Sequence, residues 1–459
     1  MAQPYIEAVK ILEQSQVAPP SGSVSTTTIP LTFFDMLWIF SIPMQRIFFY
    51  EFPYSTDHFT QNIFPHLKQS LSLTLRRFFP FAANLTCPPQ LNKPYILYKE
   101  GDSILVTVAQ SGANFNHLIA NTARDNLLFQ SFVPKLPTAI FSTDKTNVVP
   151  IMAMQFTVFP NSGISIGVAF THVSSDGRSF NHFMKSWASI YRSGEEDLTA
   201  LSLPCHNKDL IKDPDELSSI FFNDWWNFQK NSISNGRNPA PQDNVRVTLE
   251  LSHAQIEKLK ERVTTQNSEN NEPRQILRIS TYAVTCAFMW VNLMKLQECE
   301  TSGHLNDDIV YHFVSVADCR ERVSEFPIPA AYFGNCLAFF FASAKRSELM
   351  GENGIVVAAK AIGRAIHKLE KGPLIGAENW VSDLIEIFKV PGRIVSVAGS
   401  PRLRVYDTDF GWDRPRKSEV AHIGAYGAFS INECRDGEGE VEIGLVLSRD
   451  NLEYFNDLN

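Results

Sequence analysis

The sequence predicts a protein of two domains, each of which combines β-strands with α-helices. The chain has 459 residues, and because this exceeds the usual size of one hydrophobic core, we expect two domains of roughly 200 residues each. Segments with strand and helix periodicity occur on both sides of a polar stretch between residues 194 and 243. Hydrophobic residues make up 44% of the chain, and its 34 phenylalanines are sufficient for large cores.

The first elements are a strand over residues 9–17 and, after a Pro/Ser/Thr-rich segment, a buried stretch over residues 31–52. Large apolar side chains fill that stretch and could line a pocket, and they are Phe33, Phe34, Trp38, Ile39, Phe40, Phe48 and Phe49. The next apolar residues recur every four positions, which predicts a helix with a bend favoured at Pro65. These residues are Phe59, Ile63, Leu67, Leu71 and Leu75.

Residues 148–171 are predicted to form two strands joined by the turn tetrapeptide Pro160-Asn161-Ser162-Gly163. His172 then lies where the second strand ends. From residue 179 the apolar spacing changes to that of a helix, and Asp176 and Ser179 lie where its N-cap is expected.

Residues 194–243 are rich in Pro, Asn, Asp and Ser and are predicted to be an inter-domain connection that packs on the surface. A second series of elements follows, with a strand at 245–251, a helix opened by a Ser252/Gln255 capping box, a buried helix at 281–296, strands at 310–316 and 337–342, a helix at 355–369 and a strand at 441–447. We therefore predict an N-terminal domain at 1–200, a crossover at 201–243 and a C-terminal domain at 244–459.

Charge and composition argue against several classes of partner. Lys and Arg number 41 against 49 Asp and Glu, a net charge of −8, and no basic arm indicates nucleic acid. The first residues lack the basic and apolar segments of a signal peptide, and no run approaches the ~20 apolar residues that span a bilayer. The 7 cysteines lack metal-type spacing, which favours reduced thiols and the cytosol, and they are residues 87, 205, 286, 299, 319, 336 and 434.

The stretch Ala169-Phe170-Thr171-His172-Val173-Ser174-Ser175-Asp176-Gly177-Arg178 holds a candidate base. A histidine released from a strand into a tight turn can present a ring nitrogen to a substrate, and it titrates near neutral pH. The His-x-x-x-Asp pattern arises often by chance, and an isolated instance is more often a structural turn histidine.

Another conspicuous stretch is the loop Tyr406-Asp407-Thr408-Asp409-Phe410-Gly411-Trp412-Asp413-Arg414-Pro415. With these motifs the chain resembles the plant BAHD acyltransferases, whose signatures are HxxxD and DFGWG and which transfer an acyl group from a coenzyme A thioester to an alcohol or amine. Tyr332-Phe333-Gly334-Asn335-Cys336 is similar to YFGNC, the motif of the branch that acts on anthocyanins and other flavonoid or phenolic glycosides, most often with malonyl-CoA.

The resemblance implies an α/β fold of two chloramphenicol-acetyltransferase-like domains of similar size, with the active site in a channel between them. It implies a ternary complex with malonyl-CoA or another acyl-CoA as co-substrate and a phenolic glycoside as acceptor. We expect no bound cofactor and a monomer. The sequence has no Gly-x-Ser-x-Gly elbow, which agrees with a mechanism without an acyl-enzyme.

The resemblance also implies roles for individual residues. His172 would be the general base, and Asp176 either orients its ring or forms a salt bridge with an arginine, for which Arg320 is the candidate. Asp409 would be either a second proton acceptor or an anchor of its loop. In that loop Gly411 would allow the tight turn, and Trp412 could offer its indole N–H to the developing oxyanion.

Substrate-binding candidates are Arg178, Lys260, Ser280 and Thr281. The Arg178 guanidinium could bind the malonyl carboxylate in a two-pronged geometry, or it could be a solvated surface arginine. By similarity, Lys260 and the N-terminal Ser280-Thr281 pair of a helix could bind the phosphates of CoA. The alternatives without a binding role are that Lys260 is an ordinary solvent-exposed lysine and that Ser280 only caps its helix.

The chain departs from the family pattern at two positions. Asp413 replaces the last glycine of DFGWG, which adds strain if that position needs a positive φ. Thr171 replaces a histidine that often precedes the catalytic one, and this change should be harmless. Three alternatives stay open: an aromatic acyl donor such as coumaroyl- or caffeoyl-CoA, a catalytically silent binder of the same ligands, and a metal site, which lacks further clustered ligands.

Overall fold

The computed structural model describes residues 9–89, 92–137, 144–194, 202–232, 243–269, 279–299, 306–390, 392–424 and 427–456. The chain divides into two compact units. The first unit contains Met1–Asn235, Ile328–Cys336 and Leu403–His422, and the second contains Gly236–Pro327, Leu337–Arg402 and Ile423–Asn459.

Strands and helices alternate along both units. The strands are β1 (Lys10–Val17), β2 (Thr27–Pro30), β3 (Met44–Glu51), β4 (Asn84–Cys87), β5 (Tyr95–Tyr98), β6 (Ile104–Gln110), β7 (Arg124–Asp125), β8 (Asn147–Pro150), β9 (Met152–Phe159), β10 (Gly163–Phe170), β11 (Asn244–Leu251), β12 (Val310–Asp318), β13 (Leu337–Lys345), β14 (Ile394–Ala398), β15 (Lys417–Val420), β16 (Ala428–Glu433) and β17 (Val441–Ser448). The helices are α1 (Phe33–Met36), α2 (Thr56–His58), α3 (Phe64–Arg77), α4 (Phe115–Leu118), α5 (Asn126–Gln130), α6 (Gly177–Ser193), α7 (Leu217–Ser232), α8 (His253–Glu269), α9 (Thr281–Cys299), α10 (Arg346–Leu349), α11 (Gly354–Lys371), α12 (Trp380–Phe388) and α13 (Leu452–Asn456).

The main sheet of the first unit has the strand order β1-β6-β9-β10-β3-β15. Its central strands β9 and β10 are buried along their whole length, which explains why their sequences are nearly continuous apolar runs. Gly167 of β10 fits a close backbone approach, because a Cβ there would lie 2.0 Å from the carbonyl oxygen of Phe132. A smaller sheet of the same unit has the order β2-β5-β4-β8.

The predicted strand–turn–strand–helix sequence around His172 is confirmed. β9 and β10 pair antiparallel from Phe159 opposite Gly163, and β10 ends at Phe170. A 3₁₀ turn over His172–Ser174 follows, and α6 begins at Gly177. The apolar face of α6 packs on α3 and the sheet, which fixes the direction in which the chain leaves the turn.

The helix predicted around Pro65 is also present. It consists of α2, a π-helical turn over Phe59–Ile63, and α3, in whose first turn Pro65 lies. Proline tolerates the first turn of a helix because the N–H that it lacks has no intrahelical acceptor there. A π turn thus lies just before the proline, and the bend at Pro65 stays a prediction.

Strands of the second unit follow the order β13-β12-β14-β16-β17-β11, and α9 and α11 pack together beside β13. The predicted capping box opens α8, because the Ser252 N–H donates to Gln255 Oε1 and the Gln255 N–H donates to Ser252 Oγ. In the portion of the chain that the structure describes, no helix is both long and apolar enough to traverse a membrane.

The compact units differ from the continuous domains that the sequence predicts. Segments Ile328–Cys336 and Leu403–His422, which carry the YFGNC-like and DFGWG-like motifs, group with the first unit and not with the C-terminal half. The predicted 201–243 connection contains the regular helix α7, whose Phe221 and Phe222 are buried and which packs on α1. The boundaries at residues 200 and 244 stay predictions.

Candidate active site

His172 lies in the turn that follows β10, and its side chain has a defined environment in the first unit. The residue is only 8% exposed. Its imidazole stacks on the Trp38 indole, with ring centres 3.7 Å apart and planes inclined by 11°. Its Nδ1 atom lies 3.1 Å from Oδ1 of Asn335, in the YFGNC-like segment. The ring is therefore held on one face and at one nitrogen.

The hydrogen bonds of Asn335 determine which nitrogen of His172 carries the proton. Asn335 Nδ2 donates to Asp35 Oδ1 at 3.0 Å, to the His172 carbonyl at 2.8 Å and to the Val173 carbonyl at 3.2 Å. Because carbonyls and carboxylates only accept, the amide nitrogen must face them and Oδ1 must face the imidazole. His172 Nδ1 therefore donates to Asn335, and Nε2 keeps its lone pair.

Burial lowers the pKa of His172 below its ordinary value of 6.5, because a buried imidazolium loses its hydration. The charges of Asp176 and Asp35 and the hydrogen bond to Asn335 oppose this effect without cancelling it. The imidazole is thus neutral near pH 7, the form that a general base requires.

Asp176 is buried and accepts backbone hydrogen bonds at both carboxylate oxygens. Its Oδ1 caps α6 by accepting from the Ser179 N–H at 2.9 Å, as the sequence predicts, and Oδ2 accepts from the Cys336 N–H at 3.1 Å. The ring nitrogen that the aspartate of a catalytic dyad would contact is bonded to Asn335 instead. Arg320, in the second unit, pairs with Asp318 at 3.0 Å, and its pairing with Asp176 stays a prediction.

Asp35, Trp38 and Asn335 are the residues around His172 that sequence analysis did not identify as site residues. Asn335 stands inside the YFGNC-like motif, and that position was the available signal. Cys336, its neighbour in the motif, is buried and forms no disulfide.

The loop of the DFGWG-like motif is anchored on α6 and on itself. Asp409 Oδ1 accepts from the Gly411 N–H at 2.7 Å, and Oδ2 lies 3.8 Å from Nη1 of Arg192, which also donates to the Asp409 carbonyl. Gly411 has φ +92°, a conformation that favours glycine. The Asp409 side chain is 36% exposed. These contacts hold the loop at the C-terminal end of α6.

Trp412 closes an aromatic cluster with Tyr50, Phe52, Tyr191 and Phe410, and its ring centre lies 5.3–5.9 Å from theirs. Its indole N–H bonds the Tyr191 hydroxyl, an interaction that lowers the pKa of that tyrosine against the larger, raising effect of burial. The N–H that could have served an oxyanion is therefore engaged within the cluster.

This loop is remote from His172. The Tyr50 hydroxyl donates to the Thr408 carbonyl, whereas Met44, at the other end of β3, pairs with Phe170, next to the turn that holds His172. Tyr50 is six residue steps along the strand from Met44, and at about 3.3 Å per step this amounts to about 20 Å. Asp409 thus lies far from the atoms that His172 can reach.

Asp413, which replaces the last glycine of DFGWG, has φ +72°. This is the left-handed region in which side chains are strained and glycine is not, so the strain predicted for this position is present.

The predicted substrate-binding residues lie at helix starts and on one helix surface. Arg178 occupies the first turn of α6 and is half-buried. In the second unit, Lys260 Nζ lies 2.8 Å from Glu257 Oε1, Ser280 Oγ accepts from the Ala283 N–H at 3.2 Å, and Thr281 begins α9. Ser280 is thus a helix cap. The binding of the malonyl carboxylate by Arg178 and of the CoA phosphates by Lys260, Ser280 and Thr281 stays a prediction.

Across the described ranges, no group of three or more His, Cys, Asp or Glu side chains could hold a metal ion.

Comparison with solved structures identifies the fold. Vinorine synthase matches with a TM-score of 0.69 at 18% identity and covers 97% of this chain and 96% of its own. TRI101 of F. graminearum, solved with ethyl coenzyme A, matches with a TM-score of 0.68 at 13% identity over 94% and 97% of the two chains. These similarities confirm the predicted α/β class of two chloramphenicol-acetyltransferase-like domains.

Curated relatives are similar over nearly the whole chain. Coumaroyl-CoA:anthocyanidin 3-O-glucoside-6''-O-coumaroyltransferase 1 of Arabidopsis thaliana is 39% identical over 99% of this chain and 97% of its own. Malonyl-coenzyme A:anthocyanin 3-O-glucoside-6''-O-malonyltransferase of Dahlia pinnata is 34% identical over the same shares, and phenolic glucoside malonyltransferase 1 of Nicotiana tabacum is 36% identical over 90% and 89%. The model of the Transferase family matches residues 8–458. The chain therefore belongs to this family, that of the BAHD acyltransferases, and is an enzyme that transfers an acyl group.

Proposed function

We propose that this enzyme transfers an acyl group from an acyl-CoA to a sugar hydroxyl of an anthocyanin, flavonoid or related phenolic glucoside. The observation that carries the proposal is the state of His172, a neutral imidazole with its proton on Nδ1 and a lone pair on Nε2. The names of the similar proteins support the substrate class, because they include transferases of anthocyanin glucosides and of phenolic glucosides.

In the proposed reaction, Nε2 of His172 takes the proton of the acceptor hydroxyl while its oxygen attacks the thioester carbonyl. The new C–O bond forms, the C–S bond breaks, and the imidazolium returns the proton to the departing CoA sulfur. The Trp38 ring face stabilises the imidazolium through its π electrons, and Asn335 Oδ1 accepts the Nδ1 proton throughout. Base catalysis of this kind contributes ~10²–10⁴-fold to the rate.

Malonyl-CoA is the donor that we propose first. Malonyl carries a carboxylate that an aromatic acyl group lacks, and Arg178 lies in the first turn of α6, two residues after the Asp176 cap. A guanidinium at a helix N-terminus suits a carboxylate, since the fork geometry and the helix dipole both favour the anion. The YFGNC-like motif agrees with the malonyl branch that the sequence resembles.

An aromatic acyl-CoA is the second candidate donor. The two coumaroyltransferases of Arabidopsis thaliana are 39% identical to this chain, whereas the malonyltransferases are 32–36% identical. The two ranges of sequence identity are too similar to distinguish a malonyl donor from an aromatic one, because a few side chains in a pocket change which substrate an enzyme prefers.

For the CoA phosphates we propose Lys260 together with the start of α9, where Ser280 and Thr281 lie. A helix N-terminus offers N–H groups and a favourable potential to an anion. We propose a monomer in the cytosol. The cysteines whose side chains the structure describes form no disulfide, which agrees with a reducing location, and they are Cys87, Cys205, Cys286, Cys319, Cys336 and Cys434.

A matrix of donors against acceptors tests the proposal. Malonyl-, acetyl-, coumaroyl- and caffeoyl-CoA are each incubated with a panel of anthocyanin, flavonoid and phenolic glucosides, and products are identified by mass. We expect an ester on the sugar, with free CoA thiol released only when an acceptor is present. Thiol release without acceptor dependence, or ligand binding without any product, would instead indicate hydrolysis or a silent binder.

A further inference from the structure

A buried ion pair lies beside Asn335, next to its backbone N–H and its amide nitrogen. Lys208 Nζ is 3.1 Å from Asp35 Oδ2, and the two side chains are 8% and 0% exposed. Asp35 Oδ1 accepts from Asn335 twice, from its backbone N–H at 3.2 Å and from its Nδ2 at 3.0 Å. Asp35 Oδ2 also accepts from the N–H and the hydroxyl of Thr32, each at 2.9 Å.

The YFGNC-like segment is shaped around this pair. The ammonium of Lys208 lies 5.3 Å from the centre of the Tyr332 ring. Gly334 leaves room for it, since a Cβ at this residue would come within 2.3 Å of Nζ. Burial is the largest single influence on the pKa of Lys208 and lowers it, but the charge interactions and hydrogen bonds of Asp35 and Tyr332 together outweigh burial and raise the pKa, so the lysine remains charged. The Asp35–Lys208 pair, the Tyr332 ring and Gly334 thus pack together next to Asn335.

Stability alone does not account for such a pair. Taking two charges out of water costs several kcal/mol per ion, and an apolar pair of the same volume is often as stable. A charged Asp35, however, has a property that a neutral residue lacks: it only accepts hydrogen bonds. It therefore binds the backbone N–H and the amide nitrogen of Asn335 together. With the His172 and Val173 carbonyls, it favours the amide orientation that presents Oδ1 to His172.

We propose that Asp35 and Lys208 are positioning residues for His172: through Asn335, their ion pair keeps the imidazole proton on Nδ1 and so reserves Nε2 as the base. The catalytic consequence rests on the proposed function, whereas the consequence for the tautomer does not. The proposed effect of the pair passes through the two hydrogen bonds that Asp35 accepts from Asn335.

The test uses the double variant Asp35→Asn/Lys208→Met, which removes both charges and leaves no unpaired ion. Asn at position 35 could still accept a hydrogen bond from Asn335, but its own amide can also donate to Asn335 Oδ1. Only the His172 and Val173 carbonyls then still favour the native amide orientation, so the flipped orientation becomes accessible. The matched control is the double variant Arg124→Met/Glu419→Gln, which removes both charges of the buried Arg124–Glu419 pair of the same unit, whose side chains are 0% and 2% exposed and whose charged atoms lie 2.6 Å apart.

The readouts are the ¹⁵N signals of the His172 ring in histidine-labelled protein, assigned with His172→Gln, and the split between kcat and KM. We expect the double variant to show both tautomers and to lose kcat in proportion to the fraction of the Nε2–H form, which offers no lone pair at Nε2, while KM for acyl-CoA stays unchanged. An even mixture gives a loss of about twofold, and about nine-tenths of the wrong form gives about tenfold. The control should keep the Nδ1–H tautomer and its kcat. If the double variant does not fold, Asp35→Asn/Lys208→Gln, which also removes both charges but keeps a hydrogen-bonding side chain at position 208, takes its place with the same expectations.

A single Nδ1–H tautomer in the folded double variant would overturn the proposal, whether or not kcat falls. A mixture of tautomers with unchanged kcat would show that the pair positions the ring but that His172 is not the base, which contradicts the proposed function alone. The ring signals are recorded without substrate, so the two failures can be told apart.

Discussion

The indole of Trp38 and the imidazole of His172 lie almost parallel, with planes 11° apart and ring centres at 3.7 Å. Two opposing effects act on the ring. Burial disfavours the imidazolium in the resting enzyme and lowers its pKa, while the π face of Trp38 favours the cation that forms when a proton is taken up. In the proposed reaction, the His172 ring thus starts neutral and can still accommodate the positive charge that it gains with the proton.

The first prediction concerns pH. The neutral imidazole is the active form and is populated above the pKa of His172, so kcat/KM should rise with pH and level off. The midpoint should lie below 6.5, because burial lowers this pKa. Initial rates between about pH 4.5 and 8 at constant ionic strength measure it. A midpoint above 6.5 would contradict the assignment of the base or of its environment.

Arg178→Ala should lower the use of malonyl-CoA selectively. A charge-assisted pair with a carboxylate is worth about 1.5–3 kcal/mol, so kcat/KM for malonyl-CoA should fall about 10- to 100-fold. Acetyl-CoA and coumaroyl-CoA, which lack the carboxylate, serve as controls and should be nearly unaffected. Equal losses with all three donors would refute donor recognition by Arg178.

Asp409→Ala should act through folding. The change removes the acceptor of the Gly411 N–H and the partner of Arg192, which should cost about 1–2 kcal/mol in the free energy of unfolding. Urea unfolding measures this, and kcat per folded molecule should keep the wild-type pH midpoint. Arg192→Ala, which removes the other half of the anchor, should behave alike. A large fall in kcat without loss of stability would make Asp409 a second proton acceptor after all.

Asp413 provides a test of backbone strain. Asp413→Gly should leave stability unchanged or raise it by up to about 1 kcal/mol, since glycine adopts φ +72° without strain but loses more entropy on folding. Asp413→Val should destabilise the protein by about 1–2 kcal/mol, because a β-branched residue is poorly tolerated there. Thermal unfolding of the two variants compares them directly. The reverse order of stabilities would show that the Asp413 side chain outweighs the strain.

The local part of the site could be predicted from the sequence. The turn after β10, the N-cap at Asp176 and the helix after it depend on residues that are neighbours along the chain, and their periodicity and capping pattern are visible in the sequence. The positive φ at Asp413 was likewise indicated by the glycine that the family pattern has at that position.

The partners of His172 could not be predicted in the same way. Asn335 is 163 residues from His172 along the chain, and Asp35 is 300 residues from Asn335. Hydrogen bonds at such separations leave no periodic pattern in the sequence, because they depend on how whole segments fold back. The same reason explains why segments Ile328–Cys336 and Leu403–His422 join the first unit although they lie in the second half of the chain.

His172→Ala tests the central claim, that Nε2 of His172 accepts the proton of the acceptor hydroxyl. The measurement is kcat for ester formation with the best donor and acceptor, together with binding of CoA. Its matched control is His182→Ala, another histidine of the same unit, which packs edge-on against Phe78 with ring centres 5.1 Å apart. We predict a loss of ~10²–10⁴-fold in kcat for His172→Ala with CoA binding retained, and a near-normal kcat for His182→Ala. A near-normal kcat in folded His172→Ala would contradict the claim.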